Sequence, residues 1–179
     1  FVHGLDATAT ADGPPSVLFV GRLVAAKGVF DVVEAHRRSG VELPLAFAGT
    51  GSERAPLEAM GCEVLGWVPH DRLASVYKRA RVVLMPSRWQ EPFGIVGIEA
   101  LAMGVPVVAW DSGGVREWHA AVTPWGDIGA LARALRAAVQ IGSRGRLPDG
   151  FDRAALMTRL RHLYADVADT QGAGLERHR

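Results

Sequence analysis

The chain has 179 residues, a formal net charge of +1 and an apolar content of 49%, enough for the core of one large domain. With acids and bases balanced and no Lys/Arg-rich block, the composition excludes a polyanion-binding surface, so nucleic acid is not an expected partner. The single cysteine, Cys62, excludes an intramolecular disulfide and a cysteine-rich metal site, and it suits a reducing compartment.

Residues 1–15 are rich in Ala, Thr, Gly and Pro and read as a linker or crossover segment. They carry no basic-then-apolar leader, and no apolar run reaches the ~20 residues that span a bilayer. The expected location is cytoplasmic, with membrane association arising only through a further domain. A first strand is expected at Ser16–Val20. It ends in Gly21, followed by Arg22 and Lys27 and then by the amphipathic stretch GVFDVVEAHRRS, which predicts a helix. The rhythm repeats at Leu45–Ala48, which runs into the turn Gly49-Thr50-Gly51 and a helix near Ser52–Met60 with Ser52 as its N-cap. Glu63–Leu65 is a short third strand, Gly66-Trp67-Val68-Pro69 a loop, and Asp71 the cap of a helix reaching Arg79. A fourth strand at Val82–Met85, a helix at Gly94–Met103 and a fifth strand at Val105–Trp110 follow, closed by Ser112-Gly113-Gly114. Helices are then expected at Asp127–Gln140 and Asp152–Val167, with a frayed tail over 169–179.

Unbroken apolar strands alternating with helices predict a doubly wound, parallel α/β domain of Rossmann-like class over 16–168. In such sheets, ligands bind at the carboxyl ends of the strands, beside helix amino termini that favour anions. The chemically distinctive residues gather at those ends: Gly21, Arg22 and Lys27 after the first strand, Gly49 and Gly51 after the second, Glu91, Phe93 and Gly94 after the fourth. Two cations among glycine turns point to a diphosphate, because Arg pairs with phosphate oxygens in bidentate fashion and Lys supplies a point charge. Taken singly, each reads first as an ordinary solvated charge, and it is the glycine loops beside them that favour the diphosphate. The loops match neither the P-loop nor the dinucleotide glycine pattern, which disfavours an ATPase or a dehydrogenase.

Glu91 and Glu99 bracket the apolar segment Pro92–Ile98, where an ionised group without a partner is costly. Glu99 lies about a turn and a half into its helix, within reach of a vicinal diol such as that of a ribose. Glu91 precedes the helix and faces the same ligand farther along. Two other readings stay open: Glu91 as a charge complementing the helix dipole, and Glu99 as a salt-bridge partner of a neighbouring helix. His36, His70, His119 and His162 show no metal-ligand spacing. Of the tryptophans, Trp89 beside Glu91 is the one nearest to the expected ligand.

The segment PSRWQEPFGIVGIEALAMGVPVVAWDSGGVRE (86–117) resembles the donor-site signature of retaining glycosyltransferases of the GT-B fold, family 4. The stretches GRLVAAKG (21–28), AGTGSE (48–53) and LGWVPHDRL (65–73) resemble further motifs of that family in the same order, and the opening VHGLD is similar to its interdomain crossover. The resemblance, over roughly 16–136, implies a nucleotide-sugar donor site without a metal or other cofactor. Arg22 and Lys27 would neutralise the diphosphate leaving group, Glu99 would hold the ribose hydroxyls, and Glu91 would contact the transferred sugar. The backbone at Phe93, Gly94 and Ile95 would hold sugar hydroxyls and phosphates, Gly21, Gly49 and Gly51 would line the donor, and Trp67 and Val68 would lie against the base. It also implies an N-terminal acceptor-binding domain that this chain does not contain, so the isolated domain should bind a nucleotide sugar and transfer little. The segment Trp118–Asp127 is shorter than the family's glycine-bearing hairpin, which leaves contacts from that region open. A sugar-nucleotide epimerase and a non-catalytic binding module are the alternatives.

Overall fold

The computed structural model describes residues 5–142, 144–151 and 153–175, with side chains described as far as residue 165 except at 153. Residues 1–4, which hold most of the crossover-like opening, and 176–179 at the chain end lie outside the described residues. Five parallel strands form one sheet: β1 (Ser16–Val20), β2 (Leu45–Ala48), β3 (Glu63–Gly66), β4 (Ala80–Met85) and β5 (Val107–Ala109), in the order β3-β2-β1-β4-β5. The register pairs Phe19 with Phe47 and Leu18 with both Ala46 and Val83. The strands are short apolar runs because both faces of the sheet are covered.

Alternate strand residues serve opposite faces. Val17, Phe19, Phe47, Val82 and Leu84 share a core with Val29, Val32 and Ala35 of α1 (Val29–Ser39), Leu57 of α2 (Arg54–Ala59), and Leu131 and Leu135 of α5 (Ile128–Ile141). The Arg136 guanidinium ties α5 to α1 by donating to the Ser39 carbonyl at 2.6 Å. On the other face lie α3 (His70–Arg79) and α4 (Ile95–Ala102), which bury Tyr77, Ile98 and Ala100. The expected doubly wound α/β class is therefore the observed one.

Several boundaries differ from expectation. Ser52 does not cap α2; its hydroxyl donates to the Glu53 side chain, and the Glu53 amide is spent on the Leu23 carbonyl, so the helix begins at Arg54 with Glu53 at its cap. Asp71 does not cap α3 either, because extended Pro69 takes that place and leaves the acid in the first turn, where the dipole favours it. Short 3-10 turns at Ala25–Lys27 and Gly113–Glu117 stand where plain loops were expected. The irregular segment before β1 is docked, not free: Asp12 receives the Arg72 guanidinium at 2.6 Å and its amide donates to the Ser75 carbonyl.

The chain divides into two compact units, one ending at Leu147 and one starting at Pro148. The second unit holds α6 (Arg153–Leu175), which continues past the expected end at Val167 into the stretch read as frayed. Among the described residues, no helix is long and apolar enough to cross a membrane.

Candidate active site

The strand order reverses between β1 and β4, and open α/β sheets bind ligands outside the carboxyl ends of their strands at such a switch point. A cleft of about 280 Å³ lies there, lined among others by Phe19, Gly21, Lys27, Ser87, Glu91 and Gly94. Phe93 and Ile95 line it too, so the loop from 91 to 95 forms one wall. Beside it, sharing Val20 and Gly21, is a second hollow of about 220 Å³ bounded by Arg22, Gly49, Thr50, Trp67 and Val68. Trp67 is 73% exposed at its rim.

The loop after β1 owes its position to the turn after β2. The sheet's hydrogen bonding continues past the strand ends: the Gly21 amide donates to Ala48, the Leu23 amide to Thr50 and the Glu53 amide to Leu23, at 2.8–2.9 Å. A Cβ at Gly49 would stand 1.8 Å from the Gly21 carbonyl oxygen, and one at Gly51 2.2 Å from that of Leu23. Both glycines therefore allow close backbone contact and set where Arg22 stands. Gly49 also borders the second hollow, whereas Gly51 acts through this packing alone.

Within the first cleft, Lys27 Nζ and Glu91 Oε1 form an ion pair, and the Ser87 hydroxyl donates to the same carboxylate oxygen at 2.9 Å. Glu91, 8% exposed, thus has the partner that its apolar surroundings demanded. No hydrogen bond from the described residues reaches its Oε2. Lys27 Nζ lies 4.6 Å from the centre of the Trp89 ring and the Arg22 guanidinium carbon 5.6 Å from it, so one half-exposed indole faces both cations. Ser87 was not anticipated. Its only sequence signal was a hydroxyl four residues before an acid.

The wall carrying Glu91 is braced from behind. Ser112 donates to the Trp89 carbonyl at 2.5 Å and the Gly114 amide to the Glu91 carbonyl at 2.8 Å. The indole N–H of Trp118 donates to the Phe93 carbonyl, and its ring fills the space over Gly97. Arg88 anchors the other end of the loop by a bidentate pair with buried Asp31 of α1, both contacts at 2.6 Å. Trp118 opens the segment whose contacts the sequence left open, and it is a strut. The Gly94 turn then sets Ile95 and Val96, the first residues of α4, at the cleft, while the Gly97 amide is engaged by the Gly94 carbonyl; at such a helix start the dipole contributes about 0.3–1 kcal/mol toward an anion.

Glu99 stands apart from this cluster. It lies on α4, 9% exposed, and does not line the Lys27–Glu91 cleft. The hydroxyl of fully buried Tyr77 donates to its Oε2 at 2.9 Å. Burial raises the Glu99 pKa above the ordinary carboxylate value, opposed by the Tyr77 hydrogen bond and the charge of His70. Among the described residues, the hydrogen-bond partner of Glu99 on the neighbouring helix is a phenol, and the charge of His70 on the same helix acts on it as well. Among the described residues, no cluster of three or more His, Cys, Asp or Glu could hold a metal ion.

The profile of the family described as Glycosyl transferases group 1 matches residues 6–140. The glycogen synthase of Mycobacterium tuberculosis strain H37Rv is 33% identical, over 85% of this chain and 42% of its own length. Among solved structures, sucrose-phosphate synthase from Thermosynechococcus elongatus superposes with a TM-score of 0.69 at 27% identity, covering 93% of this chain and 47% of that one. HepE of Anabaena, in complex with UDP and glucose, superposes with a TM-score of 0.60 at 22% identity, over 72% of this chain and 43% of that one, a likeness of fold. The chain spans less than half the length of these relatives.

Proposed function

This chain belongs to the glycosyl transferases group 1 family, and from that premise we propose that it is the donor-binding half of a retaining, family 4 glycosyltransferase of GT-B architecture. Its substrate is a nucleotide-diphosphate sugar, and the acceptor is held by an N-terminal domain outside this chain. The observation that carries the reading is the cleft at the β1/β4 switch point, where Lys27 and the amino terminus of α4 converge beside Glu91, with Arg22 in the adjoining hollow across Trp89.

As the bond from the anomeric carbon to the diphosphate breaks, negative charge gathers on the departing oxygen. Arg22 and Lys27 neutralise it, a task other transferases give to a metal, so this reading requires none. Lys27 reaches the diphosphate by loosening its contact with Glu91, whose place is kept by Ser87. Glu91 then accepts from a hydroxyl of the transferred sugar through Oε2, and Glu99 accepts from the ribose. The base lies in the hollow at Trp67 and Val68. Support for a uracil nucleotide comes from HepE, which binds UDP in its solved complex.

Isothermal calorimetry with UDP-, GDP- and ADP-sugars tests this on the wild-type chain and on Arg22→Ala and Glu99→Ala. One nucleotide is expected to bind, and each substitution to weaken it at least about tenfold, the loss of one charge-assisted contact. Absence of binding for all three, or unchanged affinity in both variants, overturns the donor-site reading. Rejoined to an acceptor domain the chain is expected to transfer sugar with retention; epimer formation without transfer assigns it to an isomerase.

A further inference from the structure

Tyr77 is fully buried on α3, and an aromatic ring of its size would fill the core without a hydroxyl. The hydroxyl is therefore what needs an account. It donates to Glu99 Oε2 at 2.9 Å and lies 3.4 Å from the Val96 carbonyl. A phenol in a core is ordinarily satisfied by one backbone carbonyl, which introduces no second buried polar group. Here it is aimed at a carboxylate on another helix, α4, whose amino terminus opens the cleft.

The contact has two consequences. A carboxylate offers about four acceptor positions on two oxygens. Tyr77 takes one on Oε2, and no hydrogen bond from the described residues reaches Oε1. The phenol thereby fixes the plane of the group and leaves Oε1 as the oxygen with both acceptor positions unused by the described residues. It also supports the ionised form in a place where burial opposes it. The ionised form accepts more strongly from the hydroxyls of a vicinal diol than the protonated acid does.

We infer that Tyr77 is a positioning residue for the nucleoside: by holding Glu99 Oε2 it leaves Oε1 to accept from the 2′ and 3′ hydroxyls and makes the site select ribose over dideoxyribose. The inference rests on the reading of Glu99 as the ribose acceptor. Tyr77 itself touches no ligand.

The test compares UDP, GDP and ADP, whichever binds the whole chain most tightly, with the matching 2′,3′-dideoxy nucleotide by calorimetry. Wild type is expected to prefer the ribonucleotide by about 30-fold and Tyr77→Phe by about threefold, with affinity for inorganic pyrophosphate equal in the two proteins. Equal pyrophosphate affinity separates positioning from general damage to the fold. The sequence has two tyrosines, Tyr77 and Tyr164, so a chain labelled with 13Cζ-tyrosine reports on the intact protein even where Tyr77→Phe fails to fold. The Tyr77 resonance is expected to shift on saturation with the ribonucleotide and to stay within a linewidth with the dideoxy form. If wild type shows no preference for ribose, the ribose reading of Glu99 falls and the inference with it. If wild type shows the preference while Tyr77→Phe keeps it, or the Tyr77 resonance responds alike to both nucleotides, the inference alone is overturned. The same holds if Tyr77→Phe loses pyrophosphate and nucleotide in equal proportion.

Discussion

Glu91 and Glu99 share a helix start and an apolar setting, yet their surroundings separate them. Glu91 is paired with a cation and a hydroxyl on one oxygen, whereas Glu99 takes its hydrogen bond from a neutral donor and burial raises its pKa. A carboxyl whose pKa is raised in the fold holds its proton to higher pH than the unfolded chain does. Its contribution to stability is thus lost as pH rises from the ordinary carboxylate value of 4.5 through the raised one. Glu99→Gln removes that loss. Its gain in melting temperature over wild type is expected to be largest at pH 7 and to vanish near pH 4, read by scanning calorimetry. A gain that is constant with pH would contradict the assignment. If Glu99 accepts from the ribose as proposed, nucleotide affinity is expected to run with the opposite sign and to weaken as pH falls through the same raised value.

At the scale of elements, the site is a matter of bracing. The acid-bearing loop is held between Arg88–Asp31 at one end and the 3-10 turn Gly113–Glu117 with Trp118 at the other. Gly97 on α4 is where the brace is tightest: a Cβ there would stand 2.0 Å from the Trp118 ring. In an unobstructed helix Gly→Ala stabilises by up to about 1 kcal/mol, whereas overpacking a filled site costs about 1–3 kcal/mol, so the clash is expected to win. Gly97→Ala should therefore destabilise the protein in urea, and adding Trp118→Phe, which shortens the ring, should recover part of the loss. A double variant no better than the sum of its parts would show that Trp118 does not press on α4 at this point.

For the molecule as a whole, the site residues from Gly21 to Glu99, their braces as far as Trp118 and the shared core all lie in the unit that ends at Leu147. A chain truncated after Leu147 is expected to keep its cooperative thermal transition and to bind the preferred nucleotide diphosphate within about twofold of the whole chain. Loss of the transition, or a tenfold loss of affinity, would mean that the unit starting at Pro148 supports the site. Trp67 and Trp89 stand exposed at the rim of the same unit.

The sequence by itself determined the parallel α/β class and put Gly21, Lys27 and the segment from Glu91 to Ile95 at strand ends, where the structure has them side by side. Short apolar runs, helical periodicity and glycine turns are local signals, and a doubly wound sheet carries its chemistry at strand ends whichever chain builds it. Gly49 and Gly51 were legible as glycines, but their packing against Gly21 and Leu23 was not, since it joins segments about 28 residues apart. Cap positions failed for the same reason: Ser52 and Asp71 satisfy the local rule, yet the Glu53 amide was already engaged by another loop and Pro69 started its helix first. Only the tertiary structure decided that Lys27 and Ser87 meet on one oxygen of Glu91, that Trp118 braces the helix and that Tyr77 holds Glu99. These partners lie 4 to 64 residues apart on different elements or loops, and burial selects them by proximity and unmet hydrogen bonds, which the order of residues does not record.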